Sequence, residues 1–375
     1  MNIPEEFGSY LLLKKLAEDA LGETFRAAKV GAGGIEQVVL LRVLNGKGLD
    51  GEKLWQSASG RASLQQALRS PNIGTGVDFG RVRSYPYVAY DYVSGKNLAT
   101  LLAQSEARHS PIPTDHAMLI VERIAQALAV AAETRFQDQK IHHGFVVPHL
   151  AMISNEGEAR LLGFEVGPGL RALAAGGFRD SSLTAYLAPE VLTGAPPAKS
   201  DDSWSLGALL FSLLTGMQLP EGAAGSHGPL VERAILSNDG TPIPPALADL
   251  IKKSLEPRES RVGDAVAWHK AISKLMIDGH FSPTTFNLAF FMHNLFRDEI
   301  ERESQEMQAE QKIEWRPAPA VVVAPPHPTT WAGAVSGVGL RTRPATQAVG
   351  GCKDTVGGLH VTVVAARSVD RTSTS

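Results

Sequence analysis

Short apolar and β-branched runs, bounded by Gly, Pro or Asn, fill most of the chain up to about residue 93. Runs of this length and composition predict strands joined by turns. The predicted strands cover residues 10–16, 23–30, 35–44, 74–82 and 85–93. One helical pattern, over residues 51–68, interrupts them. The first part of the chain is therefore predicted to be a small sheet with one helix.

Helical periodicity replaces this pattern in the second part of the chain. In residues 115–135, apolar side chains recur every three or four positions, which predicts an amphipathic helix. Residues 205–214 are apolar on every side, which predicts a buried helix, and two more helices are predicted over residues 246–255 and 264–276. A small sheet-rich part followed by a larger helical part indicates a bilobal α+β fold.

The end of the chain divides into a helical segment and a segment of biased composition. Ser282-Pro283-Thr284 can start a helix, and a charged stretch with good helix formers ends it near Lys312. Between them lies an apolar stripe, comprising Phe286, Phe290, Phe291, Leu295 and Phe296. This helix could dock on the preceding domain, or it could bind a partner or lead into an appended module. Residues 316–375, which include Cys352, are Pro- and Gly-rich with few large apolar side chains, and are predicted to be disordered.

Composition and charge narrow the class of protein. Hydrophobic residues make up 43% and charged residues 20% of the 375 residues, and the net charge is -3. This balance excludes wholesale disorder and gives no basic excess for nucleic-acid binding. One cysteine cannot form an internal disulfide or a zinc knuckle. The first ten residues have no apolar core of a signal peptide, and no apolar run is long enough to span a bilayer. We therefore expect a cytoplasmic protein.

Several short motifs follow one another in a definite order. They are Phe7-Gly8-Ser9-Tyr10, Ser70-Pro71-Asn72-Ile73, Asp91-Tyr92-Val93-Ser94-Gly95, Ala188-Pro189-Glu190, Asp202-Ser203-Trp204-Ser205-Leu206-Gly207 and Arg258-Glu259-Ser260-Arg261. Over about residues 7–277 the chain resembles the bacterial Ser/Thr protein kinases, in which A-P-E closes the activation segment. The resemblance implies an α+β bilobal protein-kinase-like fold. Its N-lobe would cover residues 1–94 and its C-lobe 95–280, followed by a helical extension (281–315) and the disordered tail (316–375).

The retained motifs have structural roles in this family. The resemblance implies that Glu190 pairs with Arg261 and ties the activation segment to the C-lobe. It also implies that Asp202 holds the backbone of the catalytic loop around His143. These residues maintain a shape and perform no chemistry.

The catalytic positions of the family carry other residue types here. Phosphoryl transfer needs a carboxylate for the acceptor hydroxyl and ligands for Mg²⁺. In the alignment that His143 and Pro148 fix, Phe145 stands for the catalytic aspartate and Leu150 for the metal-binding asparagine. Gly163 stands for the aspartate of D-F-G. Glu165, two residues further on, could reach a metal only if the loop were rebuilt.

The nucleotide-binding positions are also altered. Of the Gly-rich loop only Gly22 remains, and Glu18 and Asp19 would place carboxylates beside the phosphates. Arg42 replaces the strand lysine, and Arg61 stands near the position of its glutamate partner, so two cations are expected to face each other. Leu40 and the gatekeeper Tyr90 are expected to fill part of the adenine slot.

Three other groups of residues have less specific patterns. His142, His143 and His149 have no Cys or carboxylate at ligand spacing, so no metal site is predicted. Ser181, Ser182 and Thr184 lie in the activation segment, where they could be phosphorylated or simply form a polar loop.

Glu133 and Asp138 are poorly placed to replace the catalytic base, because both are expected on or after a helix behind the cleft. The sequence therefore indicates a degenerate kinase-like protein, a pseudokinase that acts as a scaffold or allosteric partner of other proteins, for example other kinases. Neither ATP nor Mg²⁺ is expected as a cofactor. The alternative is an active Ser/Thr kinase that uses ATP and Mg²⁺ through an atypical site.

Overall fold

The computed structural model describes residues 4–31, 34–279, 281–310 and 312–313 of the chain. The segment predicted to be disordered, residues 316–375, lies outside the described residues, and so does Cys352.

An antiparallel sheet forms the first part of the chain. Its six strands are β1 (Glu5–Phe7), β2 (Tyr10–Asp19), β3 (Gly22–Gly31), β4 (Gly34–Val43), β5 (Gly76–Val82) and β6 (Tyr85–Asp91). The spatial order is β1-β2-β3-β4-β6-β5. Side chains alternate between the two faces, so Val39 and Leu41 pack in a cluster on one face while Leu40 lies in the cluster of the other. This second face packs towards the helical part of the chain.

The segment between β4 and β5 is a broken helix. It consists of α1 (Gly51–Ala58), a 3₁₀ turn (Ser59–Arg61) and α2 (Leu64–Ala67). The prediction of one continuous helix over residues 51–68 was wrong. Gly60 and the neighbouring serines are poor helix formers, and the Ser57 hydroxyl donates to the Lys53 carbonyl within its own helix.

The second part of the chain is mainly helical. Two small sheets lie within it, formed by β7 (Gly95–Asn97), β10 (Ala151–Ser154) and β11 (Ala159–Leu161), and by β8 (Arg135–Phe136) and β9 (Gln139–Lys140). The helices are α3 (Leu98–Ala107), α4 (Thr114–Glu133), α5 (Gly167–Ala175), α6 (Ser181–Thr184), α7 (Pro189–Leu192), α8 (Asp201–Thr215), α9 (Gly228–Arg233), α10 (Pro245–Ser254) and α11 (Ala265–Asp278). Every residue of α8 is buried, as its all-round apolar pattern predicted. The chain passes from the sheet to this part through residues 92–94.

The last described helix is α12 (Thr285–Glu310). Its backbone leaves helical geometry at Phe296, where φ is -118° and ψ is 19°. The buried side chains are Leu288, Met292, Leu295 and Phe296. Of the predicted apolar stripe, Leu295 and Phe296 are buried, whereas Phe286 and Phe290 lie on the opposite side of the helix and are exposed.

One hydrophobic core runs through both parts of the chain. It contains Leu21, Leu40 and Tyr90 from the sheet together with Leu150, Leu162 and Phe164 from the helical part. In the described ranges, none of the helices combines the length and the apolar character that crossing a membrane requires.

Candidate functional site

The candidate site is the cleft between the sheet and the helical part, where the kinase resemblance places nucleotide and metal. Arg42, on β4, lies here and is almost fully buried. Its guanidinium is 2.5 Å from Asp19 Oδ1, and it also donates to the His149 carbonyl at 3.2 Å and to Thr24 Oγ1 at 3.3 Å. Asp19, at the end of β2, is held in place because its Oδ1 accepts the Leu21 N–H at 2.9 Å. The Arg42 cation, which the resemblance aligns with the strand lysine, is thus paired with the carboxylate of Asp19 at the end of β2.

Arg61 lies in the 3₁₀ turn after α1 and has a different partner. It donates to the Phe164 carbonyl at 3.2 Å. Burial lowers the pKa of Arg61, and the nearby charge of Glu165 opposes that shift. Arg42 and Arg61 therefore donate to different oxygen partners, Asp19 Oδ1 and the Phe164 carbonyl.

Tyr90, on β6, connects the back of the cleft to the former D-F-G segment. Its hydroxyl accepts the Gly163 N–H at 2.9 Å and donates to Glu165 Oε2 at 3.1 Å. Both side chains are buried, and burial raises the pKa of Tyr90 and of Glu165. Glu165 is therefore directed to a tyrosine hydroxyl, a contact that sequence reasoning did not predict.

Apolar side chains fill the space between these polar contacts. Leu21 is 0% exposed, Leu40 4% and Leu150 1%, and all three belong to the core that joins the two parts. Leu40 was expected here from its position. Leu21 was not expected here. The signal that could have identified it is an apolar residue within the segment aligned with the Gly-rich loop.

Two glycines of the site adopt backbone angles that disfavour other residues. Gly163 has φ of +90°, and a Cβ at this position would lie 2.9 Å from Leu150 Cδ1. An aspartate at position 163 would therefore need a shift of Leu150. Gly22 has φ of +132°, and its Cβ would lie 2.2 Å from the Val43 carbonyl oxygen. Gly22 serves the tight turn between β2 and β3.

The segment that the resemblance aligns with the catalytic loop, residues 143–150, packs in the core. Phe145, Val147 and Leu150 are each at most 1% exposed. His143 is fully buried, and its Nε2 donates to the Leu162 carbonyl at 2.8 Å because its Nδ1 accepts the Phe145 N–H at 3.2 Å. Burial lowers the pKa of His143 to about 4, so the ring is neutral at physiological pH.

Asp202, in the first turn of α8, holds this loop by its backbone. Its two carboxylate oxygens accept the Gly144 N–H at 2.8 Å and the His143 N–H at 3.2 Å. Burial raises the pKa of Asp202 to about 6, against the pull of these two hydrogen bonds. The structure thus brings together the two residues that the sequence motifs linked.

Asp202 and His143 predict opposite pH dependences of stability. The folded state holds the Asp202 proton up to a pKa of about 6, above the ordinary 3.8, so this group lowers the free energy of unfolding as pH rises through that window. The folded state releases the His143 proton already at a pKa of about 4, below the ordinary 6.5, so this group raises the free energy of unfolding over its window. Each contribution is about 3 kcal/mol, so the two nearly cancel.

Asp202→Asn should remove the first contribution and leave the second. Between pH 4 and 6.5 we expect the free energy of unfolding of this variant to rise by about 3 kcal/mol more than that of the unmodified protein. Denaturant melts across this pH range measure the difference. Asp278→Asn, at an exposed position, is the matched control. If the free energy of unfolding depended on pH in the same way in Asp202→Asn and in the unmodified protein, Asp202 would not be the source of the first contribution.

Glu190 and Arg261 form an ion pair between α7 and the loop before α11. Arg261 donates one nitrogen to both carboxylate oxygens of Glu190, at 2.9 and 3.1 Å. The Arg261 side chain is 0% exposed, whereas that of Glu190 is 22% exposed, so only the cation is fully buried. Its guanidinium also lies 5.0 Å above the Trp204 ring.

Sequence reasoning missed the residues that surround this pair. Asp201, which is buried, accepts hydrogen bonds from Arg258 at 3.0 Å and from Arg171 at 3.1 Å. Arg171 belongs to α5, a helix that was not predicted from the sequence. The signal that could have identified Asp201 is its acidic side chain directly before the motif residue Asp202.

The remaining candidates are separate from one another. Within the described ranges, no three His, Cys, Asp or Glu side chains lie together so that they could hold a metal ion. The activation-segment hydroxyls differ in access. Ser181 is exposed, Ser182 is half-buried and donates to the Asp180 carboxylate that caps α6, and Thr184 is buried.

Comparisons with known proteins match this architecture. The description "Protein kinase domain" fits residues 22–261, more than half of the chain. The tyrosine-protein kinase MasK of Myxococcus xanthus is 24% identical over 56% of this chain and 33% of its own length. The serine/threonine-protein kinase PknK of Mycobacterium bovis is 27% identical over 68% of this chain and 21% of its own length. The serine/threonine-protein kinase PrkC of Bacillus subtilis is 25% identical over 56% of this chain and 31% of its own length.

These alignments span a third or less of the relatives' own lengths. Among solved structures, the kinase domain of Mycobacterium tuberculosis PknI superposes with a TM-score of 0.54 at 18% identity, covering 73% of this chain and 98% of that domain. The predicted bilobal fold, with a β-sheet N-lobe and a helical C-lobe, is confirmed. The chain belongs to the protein kinase domain family.

Proposed function

We propose that this chain is a pseudokinase, a kinase-fold protein that neither binds Mg-ATP productively nor transfers phosphate. It would act in the cytoplasm as a scaffold or allosteric partner of other proteins. The observation that carries this proposal is that the polar groups of the cleft are bonded to one another. Arg42 is paired with Asp19, and Tyr90 joins Gly163 to Glu165.

The positions that would hold metal do not fit Mg²⁺. Magnesium is bound through carboxylate, amide or water oxygens in near-octahedral geometry. Leu150 offers no oxygen, and Gly163 has no side chain; a Cβ there would lie 2.9 Å from Leu150 Cδ1 at a φ of +90°. Glu165 carries a carboxylate close to Gly163, but it is buried and accepts a hydrogen bond from Tyr90. Losing both ligand positions removes most of the charge neutralisation on which phosphoryl transfer depends.

The space that would hold the nucleotide does not fit ATP either. An adenine base would have to displace Leu21 and Leu40 from the core that joins the two lobes. Polyphosphate would have to replace the Asp19 carboxylate on Arg42. Both steps expose buried apolar surface or break a buried ion pair, and each is costly.

The relatives whose names describe kinases make an active kinase the second candidate to test. In that case Glu165 would have to leave Tyr90 and serve as a metal ligand. Its contact with Tyr90 and the apolar Phe145 and Leu150 positions argue against this candidate.

We expect millimolar ATP with Mg²⁺ to leave the melting temperature unchanged, and no metal-dependent transfer of labelled phosphate to the protein or to generic substrates. Binding at 100 times the dissociation constant would add about 2.7 kcal/mol to the free energy of unfolding, which a thermal melt detects. Melts with ATP alone, Mg²⁺ alone and both together test this, with an active bacterial kinase domain as the positive control.

Two matched variants sharpen the test. Tyr90→Phe keeps the aromatic ring and removes the bridge between Gly163 and Glu165, and Glu165→Gln keeps the volume and removes the charge. Metal-dependent phosphate transfer that Glu165→Gln abolishes would overturn the proposal in favour of an active kinase. Stabilisation by ATP without metal would instead indicate a pseudokinase that binds nucleotide.

A further inference from the structure

The helix α12 contacts both lobes of the chain. Its first half packs on the C-lobe through Leu288, Met292 and Leu295, all at most 2% exposed. Gly157, in the turn between β10 and β11, lets the helix approach closely, because a Cβ there would lie 2.0 Å from the Thr285 carbonyl oxygen. We call residues 285–296 the anchor half.

The second half, residues 297–310, is strongly acidic and faces cations of both lobes. We call residues 92–94, which connect the two lobes, the hinge. Glu299 lies 3.2 Å from Lys96 Nζ, just beyond the hinge, and Glu303 pairs with the same lysine. Glu306 lies 2.7 Å from Lys14 Nζ on β2. We call residues 297–310 the latch half, because it ends on the N-lobe.

The contact at the end of the latch half involves a fully buried cation. Arg26, on β3, is 0% exposed. Its Nε and Nη2 each donate to a carboxylate oxygen of Glu310 at 2.6 Å, and its Nη1 donates to the hinge residue Tyr92 at 3.3 Å. Within the described ranges, the carboxylates paired with Arg26 both belong to α12, since Glu306 at 3.7 Å is the other one. A buried arginine is costly without a partner, so the N-lobe depends on the latch half for this charge.

The position of Arg26 relates this contact to the cleft. Arg26 is paired with Leu40 across β3 and β4, so the two side chains leave the same face of the sheet. Leu40 lies on the face of the sheet that packs towards the helical part. Arg26, which binds Glu310, therefore lies on this same face.

The break in α12 separates the two halves. Phe296 has non-helical backbone angles, and its ring packs in the core with Lys96 Nζ 5.7 Å from the ring centroid. We propose that α12 is an intramolecular strap, in which the anchor half stays on the C-lobe while the latch half binds the N-lobe through Lys14 and Arg26 and fixes the two lobes across the hinge. Releasing the latch half would free the lobes and expose the cationic surface of Arg26, Lys14 and Lys96. This inference concerns contacts outside the former catalytic positions and holds whether or not the chain transfers phosphate.

Hydrogen exchange on the full chain tests the strap. In Glu306→Gln/Glu310→Gln we expect amides of residues 297–310 to exchange at least about tenfold faster, while amides of the anchor half and of α8 keep their rates. Glu301→Gln is the matched control, because Glu301 lies in the same half and is exposed. Equal exchange of residues 297–310 in the double variant and the control would overturn the proposal. So would equal acceleration of both halves of α12.

Exchanging the charges of Arg26 and Glu310 distinguishes their specific ion pair from a general loss of negative charge in the latch half. Arg26→Glu should accelerate exchange in the latch half, and Arg26→Glu/Glu310→Arg should restore most of the protection. Where a single variant fails to fold, the unmodified protein in rising NaCl supplies the same test, because salt screens the partly exposed pairs of Glu306 and Lys14. Exchange in the latch half should then rise with salt while the anchor half is unaffected. Absence of both rescue and salt dependence would show that α12 docks as one rigid body.

Discussion

Replacing Phe145 with Asp is expected to lower the free energy of unfolding by about 4 kcal/mol or more and to restore no phosphate transfer. The Phe145 side chain is 1% exposed and lies in the core beside Val146 and Leu150. The aspartate that active kinases need would lose this packing and place a carboxylate in the buried core. Both metal positions, Leu150 and Gly163, would still lack a ligand. Denaturant melts and a labelled-phosphate assay measure the two effects.

Phe145→Leu is the matched control for this experiment. It keeps an apolar side chain, so we expect less than half of the loss in the free energy of unfolding. The aspartate and leucine variants together separate the cost of the charge from the cost of the missing ring. An aspartate variant that is as stable as the leucine variant and gains metal-dependent phosphate transfer would contradict both the packing and the pseudokinase proposal.

Arg261→Ala is expected to lower the free energy of unfolding by about 3–5 kcal/mol, the usual result of breaking a buried ion pair. Besides Glu190, Arg261 donates to the Glu256 carbonyl at 2.9 Å and covers the Trp204 ring. Its removal therefore also costs packing and leaves a carbonyl without its partner. Because Glu190 is partly exposed, water can solvate its carboxylate, so we expect the lower end of this range.

Lys199→Ala provides the comparison, since Lys199 and Asp264 form an exposed pair at 3.5 Å. Surface pairs of this kind contribute about 0–1 kcal/mol. A denaturant midpoint for Arg261→Ala that equals that of the unmodified protein would show that the link between α7 and the C-lobe carries no stability.

Local patterns determined the elements of this protein where the periodicity was strong. The strands β2, β3, β4, β5 and β6 and the helices α4, α8, α10 and α11 lie within a few residues of their predicted positions. Apolar periodicity reports directly which side of an element is buried, so it suffices for these. It failed in residues 51–68, where Gly60 and serines interrupt the helix, and it predicted no helix in residues 167–175, where α5 forms. Packing of α5 against α1, with Gly169 close to Leu54, supplies what local propensity lacked.

The sequence by itself also determined which residue types stand at the positions that the resemblance aligns with the catalytic residues, because Phe145, Leu150 and Gly163 can be read from the motifs. Only the tertiary structure decided how the remaining polar groups are used. Arg42 finds Asp19, Tyr90 joins Gly163 to Glu165, and Arg26 depends on Glu310, 284 positions along the chain. Each of these contacts lies between elements that are distant in sequence. A buried polar group takes whichever partner the fold brings within hydrogen-bonding distance, and no local pattern records that choice.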